Sequence, residues 1–369
     1  MPEIVPAGRV LGYALNVFSY DALAELWACL EGDVLRLKDA AFPNEVFPIE
    51  LRLSERLVRE LQTDCDQVAR LKYFLDTHDL ALITVNGFVM PGFHGERVKE
   101  RAYLPAWHES DRRMFFTNAC IDLLAQLAPQ DASAVSVSVP FGALKPVPME
   151  AIAPNILKCA EHAAKVHQRT GMRCAVALEP EPGLCVETTS EAVKFFDRFV
   201  TEPMRHYLAV NFDLSHQLVE FEDPVGSVQS LQRNGVPIAK IHLSNAAEMT
   251  NLTMFYDDSI YLHQVCGVDT NGKPVFFSLD WPTDAPPPGI ARFRVHYHLP
   301  VCPQPDSPIA TTLAEVERFL TNLPPIHRST PLIIETYTWP EQLRGRDRLV
   351  ENICAELNWV REKISLSGS

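Results

Sequence analysis

Apolar residues along the chain follow two alternating patterns. Short runs, apolar at nearly every position or at every second one, alternate with longer stretches in which apolar residues recur at i, i+3 and i+4. The short runs are "RVLGYALNV" (9–17), "LALITVNGF" (80–88), "AVSVSVP" (134–140) and "RCAVALEP" (173–180) in the first half. They continue with "YLAVNFDLSH" (207–216), "IAKIHLSNA" (238–246), "RFRVHYHLPV" (292–301) and "PLIIETYTW" (331–339). Several are apolar on both faces, as parallel strands covered on both sides are. Helical spacing marks "DALAELWACLEG", "AIAPNILKCAEHAAKVHQR", "SEAVKFFDRFV" and "LAEVERFLTNL", with Ser190 and Thr312 placed as N-caps near two helix starts. Strand–helix alternation implies a parallel sheet with right-handed crossovers. Eight such strands predict an α/β fold, a closed (β/α)8 TIM barrel. The alternative, an open doubly wound sheet, would carry a G-x-G-x-x-G turn after its first strand, and this chain has none there.

Two segments exceed the repeat. Residues 31–78 hold more chain than one helix needs and read as two helices split by the loop around "AAFPNEVFP". Residues 247–290 separate the sixth and seventh runs and contain "GVDTNGKPVFF" and "DAPPPG", with Asn271-Gly272 predicting a small hairpin. With little apolar material of its own, this stretch reads as an elaborated loop between strands six and seven, an insertion at the mouth of one barrel domain spanning 1–369.

Composition narrows the function classes. A formal charge of −14 over 369 residues argues against a nucleic-acid backbone as partner, because counterion release needs clustered Lys and Arg. No apolar stretch approaches the roughly 20 residues of a membrane span, so no membrane insertion is expected. The start "MPEIVPAGRV" lacks the features of a signal peptide. Nine cysteines without a C-x-x-C pair read as reduced thiols, which points to the cytoplasm.

Barrel active sites lie at the C-terminal ends of strands. In this reading strand four ends with Glu179 and Glu181, strand five with Asp213 and His216, and strand six with His242. Strand seven carries His296 and His298, and strand eight ends with Glu335. Any one of these has a bland explanation, but capping or solubility does not call for carboxylates and imidazoles on five consecutive strands at one end. Converging in a low-dielectric pocket, such groups would repel or protonate without a cation between them. A mixed oxygen and nitrogen donor set suits Mn2+, Mg2+, Co2+ or Zn2+.

The motifs "ALEP", "NFDLSH", "KIHLSN" and "LIIET" resemble the metal motifs of the xylose-isomerase-like barrels, which include sugar isomerases, epimerases and barrel-type apurinic endonucleases. The resemblance implies Glu179, Asp213, His242 and Glu335 as the four metal ligands, with His216 contacting substrate or a further metal. Glu181 shares a strand face with Glu179, and the "LEP" context favours Glu179. The stretch "VNGFVMPGFHGERVKERAYLPAW" (85–107), together with "HYHLPV", is similar to the EboE family of metabolite-traffic proteins. That family is associated with secondary-metabolite clusters.

Isomerisation next to a carbonyl needs a base on one face, an acid on the other and a cation for the developing oxygen charge. The resemblance implies Glu179 and Glu335 for the two carboxylate roles. The leading expectation is therefore a divalent-metal-dependent isomerase or epimerase acting on a sugar-like or cyclitol-like polyol. His296 and His298, two apart on a strand, face one way and could join His216 in a second, all-histidine metal site, or bond substrate as neutral imidazoles. The first of these leads to a metal-dependent hydrolase of the phosphoester type. A non-catalytic metabolite carrier is the third reading, and a homo-oligomer or pathway partner proteins are compatible with all three. His94, Arg97 and Lys99, in the loop "GFHGERVKERAY", are placed as substrate-gripping groups of a lid, and Trp339 with Tyr337 as an apolar wall for the substrate; solvated loop charges and rim packing are the alternatives.

Overall fold

The computed structural model describes residues 10–366 apart from 91, 94–96, 133–134, 253–259, 305–306, 308, 324–325, 327–329 and 340–345. Its strands in chain order are β1 (Leu11–Ala14), β2 (Phe47–Arg52), β3 (Leu80–Asn86), β4 (Val135–Pro140), β5 (Cys174–Glu179) and β6 (Leu208–Asp213). They continue with β7 (Ile238–Leu243), β8 (Asn245–Met249), β9 (Val265–Val268), β10 (Pro274–Ser278), β11 (Arg292–Leu299) and β12 (Leu332–Ile334). Eight of them close a parallel barrel in the order β1-β12-β7-β6-β5-β4-β3-β2, and β10-β9-β11-β8 form a separate antiparallel sheet.

The barrel is the expected one, but one strand is exchanged. Residues 31–78, read as helix–loop–helix, contain barrel strand β2, which pairs in parallel with β1 and β3. The run at 292–301, read as barrel strand seven, is β11 of the antiparallel sheet. Glu179, Asp213 and His242 therefore stand on the fifth, sixth and seventh barrel strands, and Glu335 follows the eighth. The elaboration that follows β7 is a four-stranded sheet, and its β9–β10 hairpin turns at Gly272 with φ +77°.

Strand alternation explains why this barrel has a polar inside. Val135, Val137 and Val139 of β4, Leu208, Val210 and Phe212 of β6, and Ile241 and Leu243 of β7 join the main hydrophobic cluster with helix residues such as Ile121, Ile156, Phe195 and Phe319. The intervening residues Ser136, Ser138, Asn211, Asp213, Lys240 and His242 face the barrel axis and are buried. In β2 the same parity puts Ile49 and Leu51 into the apolar layer and leaves Glu50 and Arg52 to the interior, both fully buried. The runs that looked apolar on both faces are thus apolar outside and polar or small within.

The helix Thr189–Phe199 starts with a capping box formed by Thr188 and Glu191, so its N-cap lies two residues before the expected Ser190. Thr312 does precede the helix Leu313–Thr321, but its hydroxyl bonds Ala246 and Asn245 instead of capping.

The antiparallel sheet lies across the C-terminal mouth. Ser215 Oγ donates to Tyr297 O (2.8 Å), Arg294 Nη1 to Leu218 O (2.9 Å) and Thr338 N to His298 O (3.1 Å), so β11 is tied to the segments after β6 and β12. Pairing of β11 with β8 jumps from Val295–Ala247 to Leu299–Asn245, four residues against two. This bulge turns His296 and His298 off the regular ladder and over the barrel mouth.

Candidate metal centre

Asp213 ends β6 and caps the helix Leu214–Val219, its Oδ1 accepting from His216 N at 3.0 Å. The other oxygen, Oδ2, has no hydrogen-bond partner, although the residue is only 1% exposed. It points at Nδ1 of His242, 3.5 Å away. Glu335 Oε2 lies 2.7 Å and Glu179 Oε1 3.7 Å from the same nitrogen. One donor atom from each of these four residues falls within 4.8 Å of all the others.

The groups behind this cluster aim it. His242 Nε2 meets Glu50 at 3.2 Å, and Glu50 is ion-paired with buried Lys240, whose ammonium also donates to Ser138 Oγ at 3.0 Å. With Nε2–H given to Glu50, Nδ1 keeps its lone pair on the side of the carboxylates. The amide nitrogen of Asn211 stands 3.1 Å from the same Nδ1. Glu335 Oε1 accepts from Asn16 at 2.8 Å and Asn86 at 3.1 Å, which leaves Oε2 for the centre.

A cation fits this donor set. Glu179 Oε2, Asp213 Oδ2 and Glu335 Oε2 are buried without a hydrogen-bond donor, and a buried carboxylate oxygen left bare is costly. Burial opposes charge on His242, yet the Glu335 carboxylate, with Glu50 behind, outweighs it and carries the imidazole well above its usual range. Burial likewise opposes charge on Asp213, but His216 and His298 hold it well below the usual carboxylate range. The His242 shift marks a point where positive charge is stabilised. Three carboxylate oxygens and one imidazole nitrogen suit Mg2+, Mn2+, Co2+ or Zn2+.

Glu181 stays outside that cluster. Its Oε1 accepts from Tyr103 Oη (2.7 Å) and Gln264 Nε2 (2.9 Å), and burial, with the Glu179 charge adding, pushes its carboxyl up to about 7. His216, His296 and His298 form a second convergence, with His216 Nε2 to His296 Nε2 at 3.1 Å and His296 Nε2 to His298 Nε2 at 2.9 Å.

Glu179 and Glu335 of the first cluster and all three histidines of the second line a cavity of about 70 Å3. Phe88, Phe93 and Tyr337 supply apolar wall, and Tyr337 stacks on His298 at 4.6 Å. Val98 N and Lys99 N donate to Ile260 O (2.9 and 3.0 Å) over the cavity, and Lys99 pairs with Asp280 at 2.6 Å. Of the expected substrate contacts, Lys99 and Glu181 line this cavity, whereas Arg97 is exposed. Of the two rings expected at the wall, Tyr337 lines the cavity and Trp339 packs in the main hydrophobic cluster instead. His94 lies outside the described residues.

Sequence reasoning missed Glu50, Arg52, Asn86, Tyr103 and Gln264. Arg52 gives Nη2 to Tyr20 O (2.5 Å) and to Asp21, while its Nε and Nη1 are buried in the cavity wall without a partner. The available signal was the alternation in "FPIELR", which places Glu50 and Arg52 on one face of a strand.

No protein-family model matches the chain, and no curated protein matches it. Solved structures do. The chain is similar to a xylose isomerase-like TIM barrel protein from Mycobacterium smegmatis in complex with magnesium, with TM-score 0.56 and 11% identity over 96% of this chain and 97% of that one. It is similar to an IolI protein with a bound zinc atom, with TM-score 0.53 and 12% identity over 96% and 98%. It is also similar to a D-allulose 3-epimerase from Methylomonas sp., with TM-score 0.50 and 13% identity over 98% and 96%. At such identities the likeness is one of architecture: the chain has the fold of the xylose-isomerase-like (β/α)8 barrels.

Proposed function

We propose that this protein is a divalent-metal-dependent isomerase or epimerase acting on a sugar-like or cyclitol-like polyol. The observation that carries the reading is the convergence of Glu179, Asp213 and Glu335 on the Nδ1 lone pair of His242, with three carboxylate oxygens bare. These four residues would hold the cation, which when bound supplies Lewis acidity toward neighbouring hydroxyl and carbonyl oxygens. Glu179 and Glu335 come from β5 and from the chain after β12, on different sides of the mouth. Glu179 Oε2, without a donor, takes a proton from substrate carbon, and Glu335, oriented by Asn16 and Asn86, returns one from the other side. Arg52 offers Nε–H and Nη1–H donors to substrate oxygens, and Tyr337 a ring face.

A role in secondary-metabolite assembly, in the cytoplasm and with the whole chain acting as one unit, belongs to the same proposal. It rests on the resemblance of residues 85–107 to the EboE family. Among the described residues no helix is long and apolar enough to cross a membrane.

The test is solvent exchange. Protein loaded with Mn2+ or Mg2+ is incubated in D2O with ketohexoses, D-allulose first given the similar epimerase, and with inososes. Deuterium on substrate carbon, abolished in Glu179→Gln, is the expected result. Binding of these polyols by metal-loaded protein with no exchange would leave a carrier instead.

A further inference from the structure

We propose that His216, His296 and His298 form a second cation site, built from three imidazole Nε2 donors and selective for a zinc-like d-block ion over magnesium. It goes beyond the isomerase reading and stands without it. The argument begins on the far side of each ring. His216 Nδ1 faces Pro180 O at 2.9 Å, and a carbonyl can only accept, so this nitrogen carries a proton. His298 Nδ1 faces Glu335 O at 3.2 Å and Ser244 Oγ at 3.1 Å, and the carbonyl again requires an N–H. His296 Nδ1 faces Gln264 Oε1 at 2.6 Å. The orientation of that amide is fixed by its other end, which donates to Glu181 Oε1 (2.9 Å) and Pro182 O (3.2 Å). Turned over, Gln264 would set oxygen against a carboxylate and a carbonyl.

All three neutral rings are therefore Nδ1–H tautomers, and all three Nε2 lone pairs face inward. They meet at 3.1 Å (His216 to His296) and 2.9 Å (His296 to His298). One extra proton does not resolve this. His296 Nε2 is common to both contacts and has one in-plane lone pair, so a proton shared with His216 leaves His298 facing an occupied acceptor. A single cation satisfies all three at once. Three nitrogens at about 2.0–2.1 Å from a tetrahedral ion stand about 3.3 Å apart, close to the spacing seen. An outer partner that holds Nδ1–H is also what metal-bound histidines use to fix their tautomer. Nitrogen-only donors favour zinc, cobalt or iron over magnesium, whereas the carboxylate-rich cluster beside them accepts either kind. A second ion beside the first would also suit attack on an activated ester, so its presence would move the reaction from proton transfer toward hydrolysis.

The experiment is a Co2+ titration of chelator-stripped, full-length protein, with bound metal counted after gel filtration. The proposal predicts two Co2+ per chain in the wild type, one in His296→Ala and one in Glu335→Ala. With Mg2+ in large excess, one Co2+ remains in the wild type and none in His296→Ala. The same number of Co2+ ions bound to His296→Ala as to the wild type overturns it. If His296→Ala does not fold, anomalous diffraction from wild-type crystals soaked in Co2+ decides: a peak within bonding distance of the three Nε2 atoms is expected, and its absence overturns the site. Cobalt at the histidines with none at Glu335 would support this site while removing the basis of the isomerase reading.

Discussion

Glu50→Gln is the most informative single substitution, because Glu50 joins the barrel's interior to the metal centre. Its carboxylate is buried and contacts both Lys240, itself 0% exposed, and His242 Nε2. Burial opposes the charge, but Lys240 first and His242 next hold Glu50 below the usual carboxylate range. The substitution leaves a buried ammonium without its counter-charge, a change that typically costs about 3–5 kcal/mol. The amide oxygen can still accept from Lys240, so about 3 kcal/mol is expected. It also loosens the hold on His242 Nε2–H, and loss of such an outer partner lowers metal affinity about 10–100-fold. The assays are urea unfolding followed by circular dichroism, and metal-binding calorimetry. Pairing Glu50→Gln with Lys240→Met removes the stranded charge and should recover most of the stability, but not the metal affinity. Wild-type behaviour of Glu50→Gln in both assays would refute the reasoning, as would a double variant no more stable than the single one. The sign with pH follows from the lowered pKa. The pair's contribution is present above about pH 4.3, where the unfolded carboxylate ionises, and is lost as pH falls through the lower folded value.

Three further outcomes are expected. Burial raises the carboxyl of Glu356 from 4.5 to about 7, against hydrogen bonds from Thr336, Val301 N and Tyr13. The folded state thus holds a proton that the unfolded state releases, and stability should fall by up to about 3 kcal/mol between pH 4.5 and 7; Glu356→Gln should flatten that decline in thermal melts, and an unchanged pH profile would count against it. Asp213→Asn keeps an oxygen to cap the helix at Leu214 but removes a charged metal ligand, so metal should be lost with stability within about 1 kcal/mol of wild type, whereas Asp213→Ala should lose both. Lys99→Met removes the ion pair with Asp280 over the cavity, worth about 1 kcal/mol for a partly buried pair. Chelators should then strip the metal about five-fold faster, and an unchanged stripping rate would show that this contact does not restrict access.

The barrel was legible because the apolar outer face of each strand and the helical periods between them carry most of the core. Strand β2 was not, since Glu50 and Arg52 in six residues look like surface charges until a polar barrel interior gives them partners. Strand β11 misled for the opposite reason. "RFRVHYHL" alternates like a barrel strand, and only its antiparallel pairing with β8 and β9 removes it from the barrel. The four-residue cluster was readable because barrel topology brings strand ends together whatever their sequence separation. Gln264, in the loop before β9, and Tyr103, at the end of a short 3-10 helix, orient His296 and Glu181 but carry no periodic signal, and only the folded chain brings them to the site. Trp339 shows the limit of reading ring residues near a site as its walls: the irregular chain after β12 takes it into the core and leaves Tyr337 at the cavity.

The central claim is that Glu179, Asp213, His242 and Glu335 hold a divalent cation. Metal content by inductively coupled plasma mass spectrometry tests it most directly, on protein purified without a metal-affinity step, with wild type beside Glu335→Ala. The account predicts at least one equivalent of divalent metal per wild-type chain and one equivalent fewer in the variant. Equal metal in the two proteins, or none in the wild type after incubation with Mn2+ and Zn2+, would contradict it.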